Sequence, residues 1–157
     1  MQSSRNCSQT LNGVVTEISL QYYADSILVL LTQVGKVGNL IQVSLPATVP
    51  ITPSTSDTVE PNAPTLPPPP IATQLMPLFG SAPSDRIQTL YNLYASQIAT
   101  IVWLSESENP LQVARKRVIV GIALRGSNAA GESDLTEIEK QTFYGNMSAI
   151  QGMLRHA

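Results

Sequence analysis

Residues 26–45, SILVLLTQVGKVGNLIQVSL, place a dense apolar run and an alternating run on either side of a turn that carries two glycines. The first run is short, rich in leucine and β-branched residues and apolar on both faces, which favours a strand in the middle of a sheet. The second run, residues 39–45, alternates apolar and polar residues with the period of a strand that has one wetter face. Both runs therefore predict β-structure.

The turn between them has the pattern G-x-x-G, with Gly35 and Gly38 on either side of Lys36 and Val37. Phosphate-binding loops and RNA-clamping G-x-x-G loops adjoin a helix, whereas a strand follows this one. We interpret the turn as a hairpin tip in which both glycines take a positive φ and Lys36 projects into water, where it discourages edge pairing.

The strand pattern continues upstream of this region. Asn12-Gly13 is the preferred pair for a two-residue hairpin turn, and it separates predicted strands at residues 5–11 and 14–22. Connections as short as these cannot make a parallel crossover. The four N-terminal strands are therefore predicted to form an antiparallel meander.

The C-terminal half predicts two strands and two helices. Strands are expected at residues 73–79 and 117–124. Between them, Ser84 is a predicted N-cap for a helix of about five turns. The second helix is expected at residues 134–155, with Ser133 as its cap and an inward stripe formed by Leu135, Ile138, Phe143, Met147, Ile150 and Leu154. The predicted fold is a two-layer α+β domain, with about six mostly antiparallel strands covered on one side by two long helices.

A proline-rich segment interrupts this order. Residues 46–70 hold nine of the twelve prolines and show no periodicity. Proline removes backbone donors and favours extended polyproline structure, so we expect a flexible, disordered insertion at about residues 46–72 within one domain spanning residues 1–157. Such a tract can be a spacer, or it can dock into an aromatic groove of a partner.

Charge and cysteine content limit the function classes. The net charge is -2 and the nine basic residues are dispersed, which argues against a nucleic-acid partner. The single cysteine, Cys7, excludes an internal disulfide and fits a reducing compartment, so we expect the protein in the cytoplasm, and the nucleus is also compatible. The sequence has no signal peptide pattern and no apolar run long enough for a membrane span, so no membrane partner is expected.

Residues with catalytic chemistry are sparse. The lone histidine, His156, is the penultimate residue, and Cys7 has only Arg5 as a nearby cation, which favours an ordinary thiol. Four acids cluster where the second helix starts and are expected to stabilise its dipole on a solvated face: Glu132, Asp134, Glu137 and Glu139. We therefore predict no catalytic residue, no metal ligand and no cofactor, and expect that the protein is not an enzyme.

The stretch SILVLLTQVGKVGNL, preceded by Gly13-Val14-Val15-Thr16, resembles the signature hairpin of the proteasome assembly chaperone 3 family. Members of that family carry a strand, Thr-Gln and a Gly-Lys-x-Gly turn at this place. The later order is also similar: a short strand, a long helix, an apolar strand and a terminal helix. The resemblance spans residues 10–155 apart from the proline-rich insertion.

This resemblance implies a small non-enzymatic chaperone that promotes assembly of the 20S proteasome core particle. It implies a heterodimer with a partner of the same fold, proteasome assembly chaperone 4, which acts on proteasome α-subunits while the α-ring forms. The match at the hairpin makes five residues the candidates for protein interaction: Thr32, Gln33, Gly35, Lys36 and Gly38.

Two alternatives remain open from the sequence. The same five residues are also what a turn between two strands requires. A different function class is a small α+β adaptor or scaffold that docks partners through its sheet edge or its polyproline tract, and an enzyme is a third.

Overall fold

A computed structural model describes residues 3–33, 35, 38–52, 66–107, 115–124 and 137–155. These residues contain six strands and two helices. In chain order the elements are β1 (Ser3–Leu11), β2 (Val14–Tyr22), β3 (Ser26–Thr32), β4 (Asn39–Ser44), β5 (Gln74–Phe79), α1 (Asp85–Ser107), β6 (Arg117–Ala123) and α2 (Glu137–Arg155). The predicted α+β fold, a six-stranded mostly antiparallel sheet with two long helices, is confirmed.

The order of strands in the sheet is β1-β2-β3-β6-β4-β5. The predicted antiparallel pairing of β1, β2 and β3 is correct. The predicted β3–β4 hairpin is wrong, because β6 lies between the two strands, parallel to β3 and antiparallel to β4. Two strand spacings, about 10 Å, separate β3 from β4. A six-residue connection, residues 33–38, is long enough to cross the end of one intervening strand.

The apolar core lies between the sheet and the two helices. Alternate residues of the four central strands face this core, and seven that are at most 2% exposed are Ile18, Leu20, Val29, Leu31, Val43, Val118 and Val120. The helix α1 contacts β4, β5 and β6, and α2 contacts β1. Both helices therefore cover the same face of the sheet, as predicted.

The helix α1 begins as its sequence predicts. The Ile87 backbone N–H donates to the Ser84 hydroxyl at 3.3 Å, which is an N-cap contact. Farther along α1, Tyr94 packs edge-to-face on Phe143 of α2 with 5.0 Å between ring centroids. The Tyr94 hydroxyl accepts a hydrogen bond from the buried Asn146 amide at 3.4 Å. Burial raises the pKa of the Tyr94 phenol well above its usual value.

The inward face of α2 differs from the prediction by one position at its start. Phe143, Met147, Ile150 and Leu154 are buried as expected. Ile138 is 63% exposed, so its predicted inward position is wrong. Ile138 lies five positions before Phe143, which places it on another side of the helix. Glu139 lies four positions before Phe143 and therefore shares its side. Leu135 and the predicted cap Ser133 lie outside the residues that the structure describes.

Glu139 was expected on a solvated face and is instead 9% exposed. Its carboxylate accepts two hydrogen bonds from the Arg86 guanidinium of α1, one of them at 3.0 Å. This bidentate ion pair joins the N-terminal ends of the two helices.

The described ends of the proline-rich segment contact the body of the fold. Val49, Ile51 and Leu66 pack against the apolar core. The Gln97 side chain, which is 6% exposed, donates to the Pro67 carbonyl at 2.8 Å. Residues 53–65 of the predicted insertion lie outside the described part of the chain. The residues nearest to β4 and β5 thus contribute to packing.

Replacing Gln97 with alanine should lower the free energy of unfolding by about 1–3 kcal/mol, because the buried Pro67 carbonyl loses its hydrogen-bond donor. Urea unfolding followed by circular dichroism measures the change. The same substitution at Gln141, which is exposed on α2, is the control and should stay within about 0.5 kcal/mol of wild type. Equal effects at the two positions would contradict a contribution from this hydrogen bond.

Candidate protein-interaction surface

The connection from β3 to β4, residues 33–38, carries most of the residues predicted to bind a partner. Thr32 is the last residue of β3 and lies beside Ala123 of β6. The Gln33 backbone N–H donates to the Ala123 carbonyl at 2.8 Å. The Gln33 side chain donates to the hydroxyl of Thr16, which is fully buried, at 3.1 Å. Thr32 and Gln33 therefore anchor the start of the connection to the sheet.

The two glycines of the connection have different backbone conformations. Gly35 has a φ of 72°, in the left-handed region that was predicted for it. Gly38 does not have a positive φ, so that part of the prediction is wrong. It lies close to β6 instead, since an added Cβ would be 3.4 Å from the Ala123 Cβ. Lys36 lies outside the described residues, and a role of all five residues in binding stays a prediction.

Gly80 lies against Gly38, the last residue of the same connection. It follows β5 directly and has a φ of 77°. A Cβ at Gly80 would be 2.1 Å from the Gly38 carbonyl oxygen and 3.1 Å from the Asn39 side-chain oxygen. The sequence marks Gly80 as a strand terminus, but its close approach to Gly38 follows only from the pairing of β4 with β5.

The sheet face that points away from α1 and α2 forms a second candidate surface, which we call the open face. No helix among the described residues packs on it. Strand pairing arranges its side chains in rows that cross all six strands. One row consists of Asn6, Ser19, Leu30, Gly121, Leu40 and Phe79, and the next consists of Ser4, Gln21, Leu28, Ile119, Gln42 and Met76.

The open face has a polar half and an apolar half. The polar half belongs to β1 and β2 and carries mainly Ser, Asn, Thr and Gln side chains. The apolar half belongs to the other four strands, where Leu28, Leu30 and Ile119 are partly buried. Met76 and Phe79 extend it to the sheet edge and are 55% and 64% exposed. Neighbouring exposed apolar side chains of this kind mark interaction surfaces.

The edge of the sheet at β5 is poorly suited to strand addition. Pro77 lies in the middle of β5 and has no backbone N–H. The register of β5 against β4 also shifts between Leu40 and Ile41, which is a bulge or irregularity. Both features disrupt the regular backbone groups that an added strand would need. The open face is therefore the better candidate surface at this side of the molecule.

Within the described ranges, no three or more His, Cys, Asp and Glu side chains are grouped so that they could hold a metal ion. Neither helix in those ranges combines the length and the apolar character that crossing a membrane requires.

No family model matches this sequence, and no curated protein matches it. One similar solved structure is the crystal structure of a novel chaperone complex for yeast 20S proteasome assembly. The superposition has a TM-score of 0.50 and covers 97% of this chain and 98% of that chain, with 14% sequence identity. This chain has the fold of that chaperone chain. The correspondence extends over nearly the whole length of both chains.

Proposed function

We propose that this chain is a non-enzymatic chaperone that promotes assembly of the 20S proteasome core particle. It acts on proteasome α-subunits during α-ring formation, as a heterodimer with a paralogous chaperone similar to proteasome assembly chaperone 4. It works in the cytoplasm and also in the nucleus. The observation that carries this proposal is the open face, on a fold shared from end to end with a chain of a proteasome-assembly chaperone complex.

The composition of the open face suits a protein partner. An apolar region with polar side chains beside it is the usual anatomy of an interface between proteins. Here Leu28, Leu30 and Ile119 form the apolar region, and the hydroxyl and amide side chains of β1 and β2 adjoin it. A chaperone must also leave its client, which favours an interface of moderate size that is partly polar. The open face has this partly polar composition.

A second contact, made through the connection at residues 33–38, is part of this proposal. Thr32 belongs to the open-face row that also contains Ser8 and Glu17, and the connection follows it directly. When a partner of the same fold covers the open face, this connection lies at the border of the covered area. It can then contact an α-subunit while the heterodimer stays intact.

Affinity purification of the tagged chain from its own cells tests the proposal. We expect proteasome α-subunits and one further chain of the same fold, identified by mass spectrometry, without the complete core particle. Recovery of the tagged chain with SH3-like domains or GTPases would favour an adaptor instead. Recovery with no α-subunit under mild lysis would contradict the proposal.

Replacing Lys36-Val37 with Asn-Gly tests the role of the connection. We expect unchanged thermal stability, because positions 36 and 37 lie outside the strands β3 and β4, and loss of α-subunit capture in the same purification. The control is Lys140→Asn, which removes an exposed cation from α2, away from the connection and the open face, and should retain capture. If the Asn-Gly variant retained capture, Lys36 and Val37 would not be needed for recognition of the α-subunit.

A further inference from the structure

We propose that a depression at the border between the polar and apolar halves of the open face receives a basic side chain of the partner sheet, with Glu17 as its counter-ion. This inference rests on the proposed function. It adds the chemistry by which the chain selects a partner that differs from itself.

The depression arises from two adjacent rows of side chains on β1, β2 and β3. It has a volume of about 410 Å³. Six side chains line it from the open face: Asn6, Ser8, Glu17, Ser19, Leu30 and Thr32. Ser8, Glu17 and Thr32 form one row, and Asn6, Ser19 and Leu30 form the other. Short serine side chains beside the longer Glu17 and Leu30 leave the space open.

The lining matches an extended lysine or arginine side chain. The apolar Leu30 side chain can contact the methylene stem, as basic residues commonly place their stems on apolar surface. The Glu17 carboxylate can accept charge-assisted hydrogen bonds from the ammonium or guanidinium group. The hydroxyl groups of Ser8, Ser19 and Thr32 can accept additional N–H donors. An acidic side chain would be repelled by Glu17, and an apolar one would leave the Glu17 carboxylate without a donor.

The carboxylate of Glu17 needs a cation from the partner when the open face is covered. Among the described residues of its strands, Glu17 and Arg117 are the charged side chains that point to this face. Arg117 is already paired with Asp25 at 3.0 Å, at the far end of β3. No cation of the described residues forms an ion pair with Glu17. Covering the face removes water from the Glu17 carboxylate, which is unfavourable unless a cation replaces that water.

A second copy of this chain is a poor source of that cation. Its open face would bring another Glu17, which repels the first, and an Arg117 that forms an exposed ion pair with Asp25 at the far end of β3. A partner of the same fold with a lysine or arginine on the facing strands compensates the charge without rearrangement. Glu17 therefore favours the heterodimer over the homodimer.

The test measures affinity for the same-fold partner recovered with the tagged chain. Glu17→Gln should weaken binding roughly tenfold and Glu17→Lys at least about a hundredfold, and Glu17→Gln should also reduce the salt dependence of Kd. Both variants should unfold at the wild-type temperature, because Glu17 is exposed. Glu137→Gln, an exposed carboxylate at the start of α2, is the matched control and should bind like wild type. Reversing the facing basic residue of the partner should restore binding to Glu17→Lys.

Different results separate this inference from the proposed function. If the partner and the α-subunits are captured but both Glu17 variants bind the partner like wild type, the counter-ion role is overturned and the proposed function stands. If the purified chain forms a homodimer whose Kd is unaffected by Glu17→Gln, the inference is also overturned. If no α-subunit is captured by wild type, the proposed function fails.

Discussion

Replacing Gly80 with alanine is expected to destabilise the protein by at least about 4 kcal/mol, which is exceptional for a single methyl group. The added Cβ would lie 2.1 Å from the Gly38 carbonyl oxygen, well inside contact distance. The positive φ of 77° adds strain of about 1–2 kcal/mol for any residue with a Cβ. Relief requires the end of β5 to separate from the start of β4. Urea unfolding at equilibrium measures the loss.

Gly13 provides a matched control for this prediction. Its φ is 78°, almost the same as that of Gly80, but a Cβ there would have no atom within 4 Å. Gly13→Ala should therefore lose only the conformational part, about 1–2 kcal/mol. The difference between the two variants isolates the contact of Gly80 with Gly38. Similar losses would mean that the backbone near Gly38 moves aside at little cost.

Introducing a charge into the apolar half of the open face should abolish binding of the same-fold partner. Ile119→Asp places a carboxylate in the middle of this half, between Leu28 and Gln42 of the neighbouring strands and away from the depression that contains Glu17. Desolvating it without a counter-ion should weaken Kd by at least about a hundredfold, or about 2.7 kcal/mol. Capture of the partner in the tagged purification and its Kd are the two measurements.

Two further variants separate binding from stability. Ile119 is partly buried, so Ile119→Asp also loses some folding free energy. Met76→Asp adds a charge to the same face at a side chain that is 55% exposed, and should weaken binding with little change in unfolding temperature. Leu93→Asp, at a position on α1 that is 39% exposed, is the control and should retain the partner. Equal binding by the Leu93 and Met76 variants would exclude the open face as the partner surface.

Local sequence patterns predicted the elements of this fold well, because each pattern reports a local property. The bounds of β2 match the prediction, residues 14–22, since alternation and the Asn12-Gly13 turn both act within a few residues. The capping contact of Ser84 has the same local origin. The periodicity of α2 identified four inward residues but assigned Ile138 in place of Glu139, because a buried ion pair leaves no apolar signal.

For the candidate site, too, local features could be predicted from the sequence, whereas contacts between distant residues could not. A turn with a positive φ at Gly35 was apparent from residue type. The contacts of Gln33 with Thr16 and of Gly80 with Gly38 join residues that are distant in the sequence, and no pattern within one strand contains them. Periodicity alone could not identify the open face either. Alternation shows that a strand has two faces, but not which face the helices cover.

The amino-acid sequence by itself determined the class of the fold, the existence of six strands and two helices, and the alternation that divides each strand into two faces. Tertiary structure alone decided that β6 lies between β3 and β4, that Arg86 pairs with Glu139, and that Glu17 and Leu30 share one depression. The physical reason is the range of the forces involved. Periodicity and turn preference act between near neighbours, whereas strand order depends on burying apolar surface from residues about ninety positions apart, such as Val29 and Val120.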